Sequence, residues 1–392
     1  MALNFSNTEI AFKSKSNKEL KKANLLFKMV AKPWLVKFGK WATNFAFKLR
    51  LPVIGLIKKT IFSQFCGGEN IEECTPKINE LYASNIGTIL DYSLEGKESN
   101  VDLDETCQEV IETIERAKNE AAIPFAVFKP SGISKFSILE KANESTDNLS
   151  EEDRKDFDLF IDRLDQICKK AAELKVSVLV DAEDSWIQGT IDRETEKMMF
   201  KYNQTQAIVI NTIQLYRHDR LQYLKDLHTR CLQKEVLCGV KLVRGAYMEK
   251  ERNRAAEKGY RDPIQPNKEA CDRDYNLALE FCVDQVESIL TVAGSHNEKS
   301  AAHLSELLEE KSVDKNHPHI YFAQLLGMSD HISYNLSSRG HNVAKYVPYG
   351  PVKEVMPYLI RRAEENTSVA GQTGRELSLI SMEMKRRKKS KQ

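Results

Sequence analysis

Between residues 87 and 350 the chain alternates short, almost continuously apolar runs with longer stretches of helical periodicity. The runs are GTILDYSL (87–94), FAVFKPSG (125–132), VSVLVDAE (176–183), AIVINTIQ (207–214), GVKLVRGAY (239–247), ILTVAGSHN (289–297), IYFAQLLGM (320–328) and NVAKYVPYG (342–350). Runs of this length without polar alternation predict strands buried on both faces. Eight strand-then-helix units over roughly 290 residues predict an α/β chain folded as a (β/α)8 barrel of the TIM type. A doubly wound open sheet is the alternative, but it would bring a glycine-rich phosphate turn, and no GxGxxG follows a strand.

Before the first run, residues 17–62 carry a helical pattern in which lysines interleave with Phe27, Trp34, Phe38, Trp41, Phe45 and Phe47. The expected division is therefore a basic, amphipathic helical segment over 1–85, a barrel over 86–378 and a basic tail over 379–392. The polar stretch 143–156 is an insertion leading into a charged helix. Charge sharpens this division. Residues 11–60 hold thirteen Lys or Arg against one acid, Glu19, and 385–391 adds six more basic residues, although the whole chain nets only +1. Basic ends on an acidic body predict contact with an anionic surface. The eight cysteines show no CxxC pair and read as reduced thiols. No apolar run is long enough to span a bilayer. His317 and His319 precede a strand and lack partners at ligand spacing, so no metal site is expected. No GxSxG elbow marks a serine hydrolase.

Chemistry concentrates at the C-terminal ends of the predicted strands, the end that forms the active site of such a barrel. Asp91, Lys129, Asp181, Gln214, Lys241 with Arg244, His296 and Tyr346 all fall there. The last unit, YVPYGPVKEVMPYLIRRAEEN (346–366), adds a helix expected to begin at Pro351, with Pro357 kinking or splitting it. Tyr358, Arg361, Arg362 and Glu365 stand at i, i+3, i+4 and i+7 and share one face, while Val352, Val355, Met356 and Leu359 form a packing stripe. Two adjacent guanidinium forks suit a carboxylate or phosphate.

The motifs AVFKPSG, VLVDAED, GVKLVRGAYMEKER, AGSHN, FAQLLGM and YVPYGPVKEVMPYLIRRAEEN, in this order over about 85–375, resemble the proline dehydrogenase family. The resemblance implies a distorted (β/α)8 barrel holding FAD. It implies oxidation of L-proline to Δ1-pyrroline-5-carboxylate, with hydride passing from C5 to flavin N5 and electrons going on to a membrane quinone. By the same resemblance Arg361 and Arg362 clamp the carboxylate, with Lys129 as a third cation. Leu325, Tyr346 and Tyr358 wall the ring, and Asp181 and Lys241 are the catalytic pair. Ala182, Gln214, Lys241, Arg244, Gly245, Ala246, Ser295, His296, Glu365 and Asn366 contact the FAD. Tyr247 and Glu95 act as gates. Some members carry Arg at the position of Lys241, so the contact geometry of this lysine is its own.

A rival activity within the family is hydroxyproline dehydrogenation, which a phenol at Tyr346 opposes by crowding a 4-hydroxyl. The rival of another class is an inert barrel that binds a membrane or nucleic acid through its basic ends. Expected partners are L-proline, a membrane quinone, an anionic membrane surface and, in the pathway, pyrroline-5-carboxylate dehydrogenase; no nucleic acid is expected. The expected location is the cytoplasm with peripheral membrane association, or alternatively the matrix side of the mitochondrial inner membrane.

Overall fold

A computed structural model describes residues 3–49, 52–92, 98–368 and 372–390. All eight predicted strands form: β1 (Ile86–Tyr92), β2 (Phe125–Phe128), β3 (Ser177–Val180), β4 (Val209–Gln214), β5 (Cys238–Val243), β6 (Ile289–Gly294), β7 (Ile320–Leu325) and β8 (Val343–Tyr349). They pair in parallel in chain order, and β8 closes on β1 from Ile86 opposite Val343 to Tyr92 opposite Tyr349. The chain is a closed (β/α)8 barrel. Several strands stop short of their apolar runs because the last residues leave the ladder to build the barrel mouth.

Side chains alternate across a strand with period 2. Ile89, Val127, Leu179, Ile210, Val292, Ala323 and Ala344 pack together inside the barrel. Two residues further along their own strands come Asp91, Lys129, Asp181, Thr212, Gly294, Leu325 and Tyr346. An apolar plug thus fills the barrel, and a largely polar layer sits directly above it. The opposite strand faces, such as Ala126, Val178 and Val180, pack against the helices.

The N-terminal segment between Ala11 and Cys66 contributes to a second core, while Ile71, Cys74, Ile78 and Leu81 pack on the barrel. Its helix Asn17–Val30 starts at a capping box: the Glu19 N–H donates to Ser16 Oγ (3.2 Å), while the Ser16 N–H donates to the Glu19 carboxylate (2.8 Å). Phe12, Leu20 and Phe27 of this segment pack with Val352, Val355, Leu359, Leu379 and Ile380. The arginine-bearing helix begins at Met356, not at Pro351. Pro357 therefore lies in its first turn, where no intrahelical N–H bond is required, and it starts the helix instead of kinking it.

The C-terminal residues do not form a separate tail in this structure. Helix Gln372–Lys389 runs across the expected boundary at 378. Its Glu383 carboxylate is fully buried and accepts from Thr8 Oγ1 (2.9 Å), Arg386 Nε (2.8 Å) and Arg387 Nε (2.6 Å). Arg387 also donates to the carbonyls of Phe12 and Lys15. Two of the six tail cations thus fasten the N-terminal segment to the terminal helix.

Burial works against the Glu383 charge, but the bonds from Arg386, Arg387 and Thr8 hold its pKa at about 2, below the usual 4.5. A depressed acid stabilises the fold above its unfolded pKa, and that contribution disappears as pH falls through 4.5 toward 2. Glu383→Gln should therefore cost roughly 3 kcal/mol at neutral pH. It should also flatten the fall of melting temperature on acidification. Parallel melting curves for the two proteins with pH check this, and identical curves would rule the latch out.

Candidate active site

Three side chains meet at the centre of the mouth. Lys241 stands in mid-β5 with its stem rising inside the barrel, and its Nζ forms an ion pair with Asp181, just past β3. The same Nζ donates to the Tyr346 hydroxyl of β8 at 2.7 Å. Tyr346 is buried, and burial together with Asp181 and Asp91 pushes its phenol well above the ordinary range. The hydroxyl therefore keeps its proton and points it toward Asp181, 3.5 Å away. β7 ends beside it, with Leu325 opposite Tyr346 in register.

Gln214, the last residue of β4, donates through Nε2 to the Glu183 carbonyl at 2.7 Å. Its buried Oε1 has no protein partner. Glu183 itself lies in the turn that also carries Asp181 and Ala182. Its carboxylate accepts the Ser131 N–H at 2.8 Å and the Ser131 hydroxyl. Burial raises its pKa to about 7, opposed by the Ser131 bonds and by Lys129. Lys129 is half-buried and directly follows β2, in the same FKPSG turn that Glu183 braces through Ser131.

A second cluster forms where β5 and β6 end. The Arg244 guanidinium donates to Asp272 (2.7 Å), Ser295 Oγ (2.7 Å) and Ser300 Oγ (2.9 Å), and lies 4.3 Å from the Tyr275 ring centroid. Gly245 has φ +137°, and a Cβ there would collide with the Tyr216 ring. Only glycine takes that backbone without strain. Ala246 is exposed, and Tyr247 lies 5.7 Å from the Lys250 Nζ, measured to its ring centroid. His296 Nδ1 bonds the Ser329 hydroxyl at 2.9 Å. Burial and the cations Lys345 and Arg362 lower its pKa to about 3, so it is neutral at physiological pH.

The arginine helix closes the arrangement. Tyr358 and Arg362 are buried, with the guanidinium 5.1 Å from the Tyr358 ring, while Arg361 is half-buried. Leu325 packs both on the core that holds Tyr358, Leu359 and Ala363 and on the one that holds Tyr346, which places this helix at the β7–β8 side of the mouth. Glu365 and Asn366 lie in the same helix, but their side chains, like all of Glu95, fall outside the described residues.

The model of the proline dehydrogenase family matches residues 74–375. This chain belongs to that family. It is 33% identical, over 97% of its own length and 74% of the relative's, to proline dehydrogenase 1, mitochondrial, of Dictyostelium discoideum. It is also 33% identical, over 98% of its length and 90% of the relative's, to a hydroxyproline dehydrogenase of Xenopus laevis. Among solved structures, proline utilization A (PutA) from Bdellovibrio bacteriovorus, inactivated by N-propargylglycine, superposes with a TM-score of 0.71 at 20% identity. That match covers 93% of this chain but 37% of the larger protein, and it shows the shared barrel fold. As a proline dehydrogenase family member, the chain is an oxidoreductase.

The proline dehydrogenase motifs do not point to several of the partners found here. Glu183 with Ser131 supports the FKPSG turn, Asp272 and Ser300 hold Arg244, and Lys345 with Asp330 lies behind Tyr346. A lysine in the middle of an apolar strand, NVAKYV, is the one visible signal for Lys345.

Proposed function

We propose that this chain is an FAD-dependent L-proline dehydrogenase. It forms Δ1-pyrroline-5-carboxylate and delivers electrons to a quinone in a membrane. The carrying observation is that, in a proline dehydrogenase family member, the Lys241–Asp181–Tyr346 cluster and the Tyr358–Arg362 helix meet through Leu325 at the β7–β8 side of one barrel mouth.

The residues suit the cofactor. Gln214 Oε1 is a buried acceptor with no protein donor, Lys241 offers a cation on the neighbouring strand, and Gly245 exposes backbone without a side chain where β5 ends. Gln214, Lys241 and Ala182 would hold the ring system. Arg244, Gly245, Ala246, Ser295, His296, Glu365 and Asn366 would hold the remainder. FAD, when bound, supplies the two-electron acceptor for the C5 hydride.

The protein's own part is positioning. Arg361 and Arg362, with Lys129, bind the substrate carboxylate through charge-assisted bonds and fix one end of a small rigid ring. Leu325, Tyr346 and Tyr358 wall the ring and exclude water. The ring nitrogen must be neutral before C5 can give up hydride, so turnover should rise with pH as the substrate amine deprotonates. Tyr346 also decides between proline and its 4-hydroxy analogue. Its buried phenol is held by the Lys241 bond at 2.7 Å, which opposes a swing away from an added hydroxyl. Identity to the Dictyostelium proline enzyme and to the Xenopus hydroxyproline enzyme is the same 33%, so that pair does not discriminate.

The acceptor side rests on helix Pro33–Lys48, which packs through Val36 on the core containing Tyr358 and Leu359. Its outer face exposes Trp34 (64%), Phe38 (58%), Trp41 (60%) and Phe45 (48%), with Trp41 and Phe45 stacked at 5.4 Å. No described helix is long and apolar enough to cross a membrane. An aromatic face flanked by exposed lysines fits the interface of an anionic leaflet, where each cation contributes about 1 kcal/mol. Of these lysines Lys40 is engaged by Glu364 at 3.0 Å, leaving Lys37 and Lys48 as the stronger contributors.

Anaerobic titration with L-proline should bleach the flavin spectrum. Arg361→Met or Arg362→Met should retain FAD while losing roughly 2–5 kcal/mol in kcat/KM. Near-normal kcat/KM in both variants would overturn the clamp.

Tyr346→Ser should weaken proline turnover and raise the relative kcat/KM for trans-4-hydroxyproline. An unchanged ratio would show that the phenol does not touch the ring.

Binding to anionic vesicles should be reversed by salt and weakened by Lys37→Glu with Trp34→Ala and Trp41→Ala, without loss of turnover on a soluble dye. Co-sedimentation decides; equal pelleting with neutral lipid, or none at low salt, would refute the membrane assignment.

A further inference from the structure

The turn after β7 links Leu325 to helix Asp330–Ser337, and it is held from an unexpected direction. Gly327 (φ +78°) and Ser329 (φ +53°) both adopt left-handed backbone, so the turn needs outside support to keep its shape. One support is Lys345 of β8. Its side chain faces away from the barrel interior, is fully buried, and donates to the Met328 carbonyl, to Asp330 Oδ1 (2.9 Å) and to the Leu325 carbonyl (3.4 Å). The second oxygen of Asp330 pairs with Lys15 of the N-terminal segment at 3.1 Å. A second N-terminal residue also grips the turn. Gln64 Nε2 donates to the Gly327 carbonyl at 3.0 Å, and the packing is so close that a Cβ on Gly327 would overlap the Gln64 carbonyl.

These contacts lead straight to the pocket. Leu325 pairs with Tyr346, the Leu326 N–H donates to the Tyr346 carbonyl at 2.8 Å, and Ser329 Oγ holds His296. Burial opposes the Lys15 charge, but Asp330 outweighs it and raises the lysine pKa; the same two lysines hold buried Asp330 well below the usual carboxylate range. Lys345, Asp330 and Lys15 therefore form one charged string from the strand behind Tyr346 to a segment more than three hundred residues earlier.

We propose that the N-terminal segment is a working part of the substrate pocket. Lys15 and Gln64 are positioning residues for the turn Leu325–Ser329, and through it they set the wall against the substrate ring. This rests on reading the mouth as the proline site. Removing either residue leaves the arginine clamp intact but loosens the wall, so the loss falls on ring recognition and not on carboxylate capture.

The test uses the full-length flavoprotein and compares Lys15→Met, Gln64→Ala and the double variant with wild type. The KM for L-proline should rise about fivefold or more, the scale on which small misfits in an apolar pocket act, with kcat within about twofold. Inhibition by cyclopentanecarboxylate, which carries the ring, should weaken more than inhibition by acetate, which carries only the carboxylate. Amide hydrogen exchange over residues 325–330 should accelerate, a reading that needs no substrate. Lys15→Arg should restore all three. Thr8→Val, which cuts the segment's bond to Glu383 and not its grip on the turn, should lower the melting temperature and leave the inhibitor ratio unchanged. Should Lys15→Met not fold, Lys15→Gln carries the same readings. Folded variants with wild-type inhibitor ratios and exchange would overturn the proposal. Wild-type enzyme that ignores proline would instead sink the reading of the site, and exchange alone would then judge the turn.

Discussion

Closure of eight parallel strands imposes the constraint on which everything else here depends. Once β8 pairs with β1, every second side chain of every strand points into a space that no helix can reach. The lower positions must be apolar and fill it. The upper ones open to the mouth and are free to carry charge, but only if the charges satisfy one another. Lys241, Asp181 and Tyr346 meet that condition as a set. The lysine is shared between a carboxylate and a phenol, and the phenol is kept protonated by its burial. Removing either Asp181 or Lys241 leaves the other charge without its ion-pair partner in a dry site.

The same constraint explains the outer shell. Lys345 follows the alternation and faces away from the mouth, into the layer between barrel and helices, where an isolated charge would be costly. Asp330 answers it, Lys15 answers Asp330, and the N-terminal segment is thereby bound to the barrel. Glu383 plays a similar part at the other end of the chain, gathering Arg386, Arg387 and Thr8. Two buried carboxylates thus hold the chain ends together around β7 and β8, the strands that supply Leu325 and Tyr346. The aromatic helix Pro33–Lys48 lies on that same side, packed on the arginine helix.

The family resemblance and the barrel are legible in the residues themselves. Strand runs buried on both faces, each followed by helical sequence, leave few topologies, and a closed parallel barrel is the one that covers both faces of every strand. The polar residues at the strand ends are legible for the same reason, because period 2 carries a buried apolar position to a polar one at the rim. Local rules err where two of them compete. Pro351 looks like a helix start, yet Pro357 cannot sit beyond the first turn, and the later proline sets the start.

Tertiary structure alone decided what depends on distance across the chain. The sequence shows Glu383 among basic neighbours and Lys15 in a basic segment. Nothing local says that the first is buried under Thr8 or that the second reaches Asp330. Nor does it show that Glu183 braces Ser131, or that Gln214 turns its amide nitrogen to a carbonyl and leaves its oxygen open. Residue type and periodicity determine which face of a strand or helix a side chain occupies. They carry no information on which distant charge will stand opposite, because that is settled only when barrel closure brings the two ends of the chain to the same side.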